Sequence, residues 1–348
     1  NIVNGYSQIF KLESSLIEVQ SLDLTNNNIK PTPNSSRGIG LIDVNVPSNA
    51  SFDNLRIIGN EFHGQYTTLK ISQYSTAQFS GIVIQDNFID REQRVDKDTQ
   101  YYGTLILIDY YSNSSFENIV ILKNQIIRCN QLFTLNGYYS STMINLEFTD
   151  NYMNNYGGGL SMIIQIDTKN FTLENARFAR NNFTSSGITR LLEGTRSHTN
   201  HLRNISFEDN QIMDVVSFYV LPDEATVSDI RITNNTIFKN IRDVENTAIF
   251  IAMGMGGLTL QNAIFKDNTI TGDYAFMYST DYGSFDIMNS IFEDNLFIPL
   301  VANDSNIILS NGGIWSIKNT IISKNKIQDP TSLFLFHKDD DPSQPNSR

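Results

Sequence analysis

One asparagine recurs along this chain with apolar residues at fixed offsets, and that register leaves room for little except a stacked repeat. The anchors are Asn27, Asn60, Asn87, Asn124, Asn151, Asn181, Asn210, Asn235, Asn268, Asn295 and Asn325, spaced 25 to 37 residues apart. Position −8 from the anchor runs from Val19 to Ile317, position −3 from Leu24 to Ile322, and position +2 from Ile29 to Ile327. All 33 residues in these columns are apolar, where a chain with 40% hydrophobic residues gives about 13 by chance. A period of about 30 residues is that of a solenoid. It overrides the two domains that a length of 348 residues would otherwise suggest.

The offsets also describe each coil. Position −9 is polar throughout and mostly Ser or Thr (Ser51, Ser115, Thr142, Thr172, Thr226, Thr259, Ser316). Polar and apolar residues alternating around an apolar −8 predict a strand with one buried face. Parity breaks at −6, which is Asn in eight coils and Asp229 in a ninth. That position and the anchor both read as bends, because Asn tolerates left-handed dihedrals and its amide satisfies nearby backbone. Stacked amides of this kind are expected to bond from coil to coil, as an inward ladder. Each second half adds a strand, as in Leu105–Ile108, Met162–Ile166 and Ala275–Tyr278. The expectation is an all-β, right-handed parallel β-helix of about eleven coils, roughly 50 Å long at ~4.8 Å per step. It covers 1–336, with 337–348 as an acidic, Pro-containing tail. A leucine-rich-repeat solenoid shares part of the spacing and is the alternative. Leu is scarce at the key positions, however, and the second half lacks a helical period.

The repeat resembles the pectate-lyase-like right-handed β-helix. Its Phe-x-x-Asn units, Phe148–Asn151, Phe178–Asn181, Phe207–Asn210, Phe265–Asn268 and Phe292–Asn295, are similar to repeats of polymorphic outer-membrane and related surface proteins. The Gly-Gly-Ala-Ile half of that repeat is absent here. The resemblance implies a fold and a surface location, and a polysaccharide-acting enzyme as one function to test.

Composition narrows the function. A net charge of −12 disfavours nucleic acid, which needs a basic stripe, and anionic membrane. No run of 18 apolar residues predicts a membrane span. The single cysteine, Cys129, allows no internal disulfide and reads as a buried thiol. The start at Asn1 suggests a processed product or a piece of something longer. His63, His198, His201 and His337 lack metal-ligand spacing, so neither metal nor cofactor is expected. The Asp pairs and the Arg-x-Pro-x-x-Arg pattern of pectin-degrading enzymes are not assembled: the one Asp run, Asp339–Asp341, lies in the tail.

Four weaker signals remain. Glu147, Glu174, Arg177 and Arg203, with Asp150 and Arg180 beside them, are outward on coils five to seven. Carboxylates with an arginine base suit β-elimination from an acidic sugar. Alternating signs at −1 (Asp86, Lys123, Asp150, Arg180, Asp209) favour a plain surface charge ladder instead. Tyr74, Tyr111 and Tyr138 share position −13 and form a strip able to bind sugar rings or to stabilise a turn. Among eight sequons, Asn49, Asn113 and Asn170 share position −11 and are the expected glycosylation sites, ahead of Asn34, Asn182, Asn234 and Asn303. Asn204, in the −6 ladder, is expected to be bare. Finally, Ile264, Ile291 and Ile321 form an outward apolar column near the C-terminal coils, where further chain or other subunits are expected to dock. These readings converge on a non-catalytic extracellular or cell-surface protein of a coat, fibre or adhesin. A polysaccharide lyase or glycan-binding β-helix is the alternative.

Overall fold

A computed structural model shows an all-β parallel solenoid. It describes 2–337 except 5–9, 13–15, 31–39, 46–48, 64–66, 73–75, 91–103, 110–112, 128–130, 137–138, 156–160, 167, 186–188, 195–198, 215–216, 222–223, 240–247, 253–256, 273–274, 280–283, 299–305, 312–314 and 329–333. No helix occurs among the described residues, which sets aside the leucine-rich-repeat alternative. Every strand pairing is parallel and joins one coil to the next.

Three sheets run along the rod. Sheet C holds positions −11 to −2, sheet A the short strand after the anchor, and sheet B the second half of each coil. Sheets A and B each have twelve strands, so the expected count of about eleven coils is corrected. The additional rung is a partial coil: Ile2–Asn4 pairs in register with Asn28–Lys30, and Phe10–Leu12 pairs with Ile42–Val44. Among the described residues it has no sheet C strand, and so it carries none of the −8 and −3 residues that mark the other coils.

The columns face as the sequence predicts. Of the 33 residues at −8, −3 and +2, all but Val19, Ile317, Ile322 and Ile327 are buried, and those four sit in the first and last coils. Like stacks on like, because identical positions on adjacent coils are neighbours. Phe52, Phe79 and Phe116 stack with centroids 5.3 and 4.7 Å apart. Phe178 on Phe207, and Phe265 on Phe292, are 4.6 Å apart. Outward Thr172, Thr226 and Thr259 are half-buried or exposed.

The anchor asparagines form an unbroken buried column. In each step the next anchor's Oδ1 accepts two bonds from the previous coil. Asn151 donates its backbone N–H to Asn181 Oδ1 at 2.9 Å and its amide Nδ2–H at 3.1 Å. The Asn181 amide also donates to the Phe148 carbonyl at 2.8 Å. The same geometry links Asn27 to Asn60 at one end and Asn295 to Asn325 at the other. Thus the amide satisfies the backbone groups that a sharp corner would leave unpaired inside the core.

Two details of the expected bends are corrected. The anchor itself is not left-handed; the residue before it is, from Asn26 (φ 54°) through Lys123 (53°), Asp150 (56°) and Arg180 (53°) to Lys324 (54°). The anchor's role is hydrogen bonding, and its neighbour takes the turn. The −6 asparagines are left-handed as expected, but their ladder is outward. Asn118, Asn145, Asn175 and Asn204 are all exposed, and their amides bond in succession at 2.9, 3.1 and 2.8 Å.

Candidate functional site

The charged residues of coils five to seven lie on the outer face of sheet C. Ser140–Thr149, Asn170–Ala179 and Thr199–Glu208 are ten-residue strands in direct register. Glu147 pairs with Arg177 across one rung, and Glu174 with Arg203 across the next. The side chains follow. Arg177 lies 3.8 Å from Glu147 and 3.3 Å from Glu208. Arg203 lies 3.8 Å from Glu174 and 3.9 Å from Asp229. Each guanidinium therefore sits between a carboxylate on the coil below and one on the coil above. Asp150 and Arg180 form a closer, two-pronged pair at the left-handed corner, with both bonds at 2.7 Å. The bond to Arg180 holds the Asp150 carboxyl below its ordinary range, and Asp150 in turn raises Arg180.

These groups run along the rod rather than converging. Arg203 is exposed and Glu147 is exposed, so neither is desolvated as a strong acid or base would be. A group of three or more His, Cys, Asp or Glu able to hold a metal does not occur among the described residues.

A second charged cluster, not singled out from the sequence, lies on coils nine to eleven. Lys266 and Lys324 reach opposite oxygens of Glu293 at 3.1 and 2.9 Å. The two ammonium groups, Lys324 first, hold the Glu293 carboxyl down to about 2 and are themselves raised. The available signal was Lys266 beside Glu293 at position −2 of successive coils, with Lys324 at −1 of the next.

Ile264, Ile291 and Ile321 do stack in register. The first two are half-buried, whereas Ile321 is 56% exposed. Ile317, on the same last coil, is 41% exposed. Asn49, Asn113 and Asn170 are exposed, as are Asn204 and Asn234, and Asn182 is half-buried. Tyr74, Tyr111, Tyr138, Asn34, Asn303, Cys129, 91–100 and the 338–348 tail lie outside the described residues.

No family model matches the chain. No curated protein matches it. Among solved structures it is similar to the receptor-binding domain of the tailspike of siphovirus 9NA, at 9% identity and a TM-score of 0.29, over 98% of this chain and 74% of that one. The architecture described above rests on the chain's own strand pairings.

Proposed function

We propose that this chain is a non-catalytic rod in an extracellular or cell-surface assembly such as a coat, fibre or adhesin. One observation carries the reading: the carboxylates and guanidinium groups best suited to chemistry are spent on pairing one coil to the next. Arg177 between Glu147 and Glu208, and Arg203 between Glu174 and Asp229, repeat one arrangement at two places. A surface pair of this kind contributes at most about 1 kcal/mol, but several in a row stiffen the face they cover. The same reading places other subunits or further coils against the C-terminal coils, where Ile317 and Ile321 are both exposed on the last coil.

The test is a turnover screen of the purified protein on acidic and neutral polysaccharides, with calcium present. The expected result is no release of reducing or unsaturated ends. Turnover that vanishes in Glu174→Ala or Arg177→Ala would reverse the reading in favour of a lyase. Sedimentation at micromolar concentration tests the assembly: association that weakens in Ile321→Asp is expected, and a strictly monomeric protein argues against it.

A further inference from the structure

A shallow trough of mixed polar and apolar lining crosses the outer face of sheet C from coil seven to coil eleven. Thr226, Thr259, Ser284, Asp286 and Ser316 line it together with Leu258 and Phe285, and Glu224 and Lys318 are its other charged residues. Five coils span about 19 Å at ~4.8 Å per step. Two residues here break their columns. From coil two onward, position −9 carries Ser, Thr, Gln or His in every coil except the tenth, where it is Asp286. Position −11 carries a side chain in every coil except the ninth, where it is Gly257. These two exceptions lie on adjacent rungs, since Gly257 pairs with Ser284 and Thr259 with Asp286.

Gly257 does not have the positive φ that would require glycine, and a Cβ there would meet Ser284 Oγ at 3.2 Å, so the missing side chain opens a notch in the trough. Asp286 is half-buried, and its Oδ1 is sealed from solvent without a hydrogen-bond partner. An orphaned carboxylate oxygen is a cost to the free protein. Turning that carboxylate into the trough would exchange the orphaned oxygen for a bond to an incoming hydroxyl.

We propose that the trough binds a hydroxyl-rich chain, a neutral oligosaccharide, with Asp286 accepting from sugar hydroxyls and the Ser and Thr hydroxyls completing the contacts. Neutrality follows from charge: Asp286 and Glu224 outweigh Lys318 locally, and the protein as a whole carries −12. This goes beyond the rod reading and does not depend on it.

Calorimetric titration of the full chain with the hexaoses of cellulose, starch, xylan, mannan and chitin tests the proposal. At least one is expected to bind. Asp286→Ser and Gly257→Thr should each weaken it about tenfold or more, while Glu174→Ala leaves it unchanged. In the absence of sugar, Asp286→Ser should raise the melting temperature, because it removes the orphaned oxygen and restores the column's usual residue. A lower melting temperature assigns Asp286 to structure and overturns the proposal. So does the absence of binding by every member of the panel, or binding that survives both substitutions. Breakdown of a bound sugar would sink the non-catalytic reading while leaving this one standing.

Discussion

The middle and the C-terminal coils use the same −6 bend differently. In the middle, Thr76–Gln85, Asn113–Leu122, Ser140–Thr149, Asn170–Ala179, Thr199–Glu208 and Glu224–Thr233 each pass through it as one ten-residue strand. In the last three coils the strand divides, into Gly257–Gln261 and Ile264–Lys266, then Ser284–Met288 and Ile291–Glu293, then Trp315–Lys318 and Ile321–Ser323. The left-handed residue at −6 is alike in both regions, Asn204 at φ 53° and Asn289 at 52°. What changes in coils ten and eleven is the next residue. Ile82, Ile119, Leu146, Ala176, Ile205 and Ile230 are buried in the middle coils at −5, whereas coils ten and eleven have the hydroxyl residues Ser290 and Thr320 there, and the Ala263 backbone of coil nine bonds to Ser290.

The hydroxyls do what the anchor amides do. Ser290 Oγ accepts from the Ala263 backbone N–H at 3.2 Å and donates to the Met288 carbonyl at 2.9 Å. Thr320 donates to the Lys318 carbonyl at 3.0 Å. A left-handed residue alone therefore kinks a strand. A left-handed residue followed by a hydroxyl side chain that pairs with the backbone makes a corner. An aliphatic residue at −5 is compatible with either form, since Asn49–Asp53 and Leu55–Ile58 are separate strands although Leu55 is buried at −5.

The largest effect is expected at the anchor corner. Asn181→Ala removes the acceptor of the buried Asn151 N–H and the donor to Phe148, and should cost about 3 kcal/mol or more at roughly 1–3 per unsatisfied buried group. Phe207→Ala, which empties a place in the Phe178 stack, should cost about 3–5 kcal/mol in chemical denaturation, with Thr226→Ala within about 0.5. Comparable small losses at both would mean that the inward and outward columns are misassigned. Ser290→Ala should cost about 1–3 kcal/mol by orphaning the Ala263 N–H. If it is neutral, the corner does not depend on the hydroxyl. Smaller still, Lys123→Asn should stabilise by up to about 1 kcal/mol, since Asn adopts the left-handed corner more readily than Lys.

The last of these effects is a pH dependence at the C-terminal coils. The Glu293 carboxyl is held at about 2 in the folded chain against an ordinary 4.5. Its contribution is complete above about 4.5 and is lost as pH falls through 2. Lys266 and Lys324 are raised, so their share is present below 10.5 and fades as pH rises past it. Acid titration of stability in Glu293→Gln should be flatter between pH 4.5 and 2 than in the parent chain. An unchanged slope would show that the pair does not persist in solution.

Much of this was legible from residue spacing. Burial of Phe148, Phe178 and Phe207 follows from one offset, and the anchor ladder from another. The left-handed corner at −1 was only partly legible: Asn26, Gly59, Asp86 and Asp150 suit it, but Lys123, Arg180 and Lys324 break the pattern and their charges suggested a ladder. The outward direction of the −6 amides was hidden as well, since a polar side chain at a bend satisfies either direction. For the candidate site, spacing placed Glu174 beside Arg203. It gave no hint of the trough, which depends on two single departures, Gly257 and Asp286, inside otherwise regular columns.

The central claim is that a continuous buried amide column is the spine of the rod. Native-state hydrogen exchange of the anchor backbone N–H groups measures it directly. The account predicts that those of Asn87, Asn151, Asn181, Asn210 and Asn268 exchange only through global unfolding, at one common free energy. Rapid exchange at Asn151 or Asn181, while the strand N–H groups of Asn170–Ala179 stay protected, would contradict it.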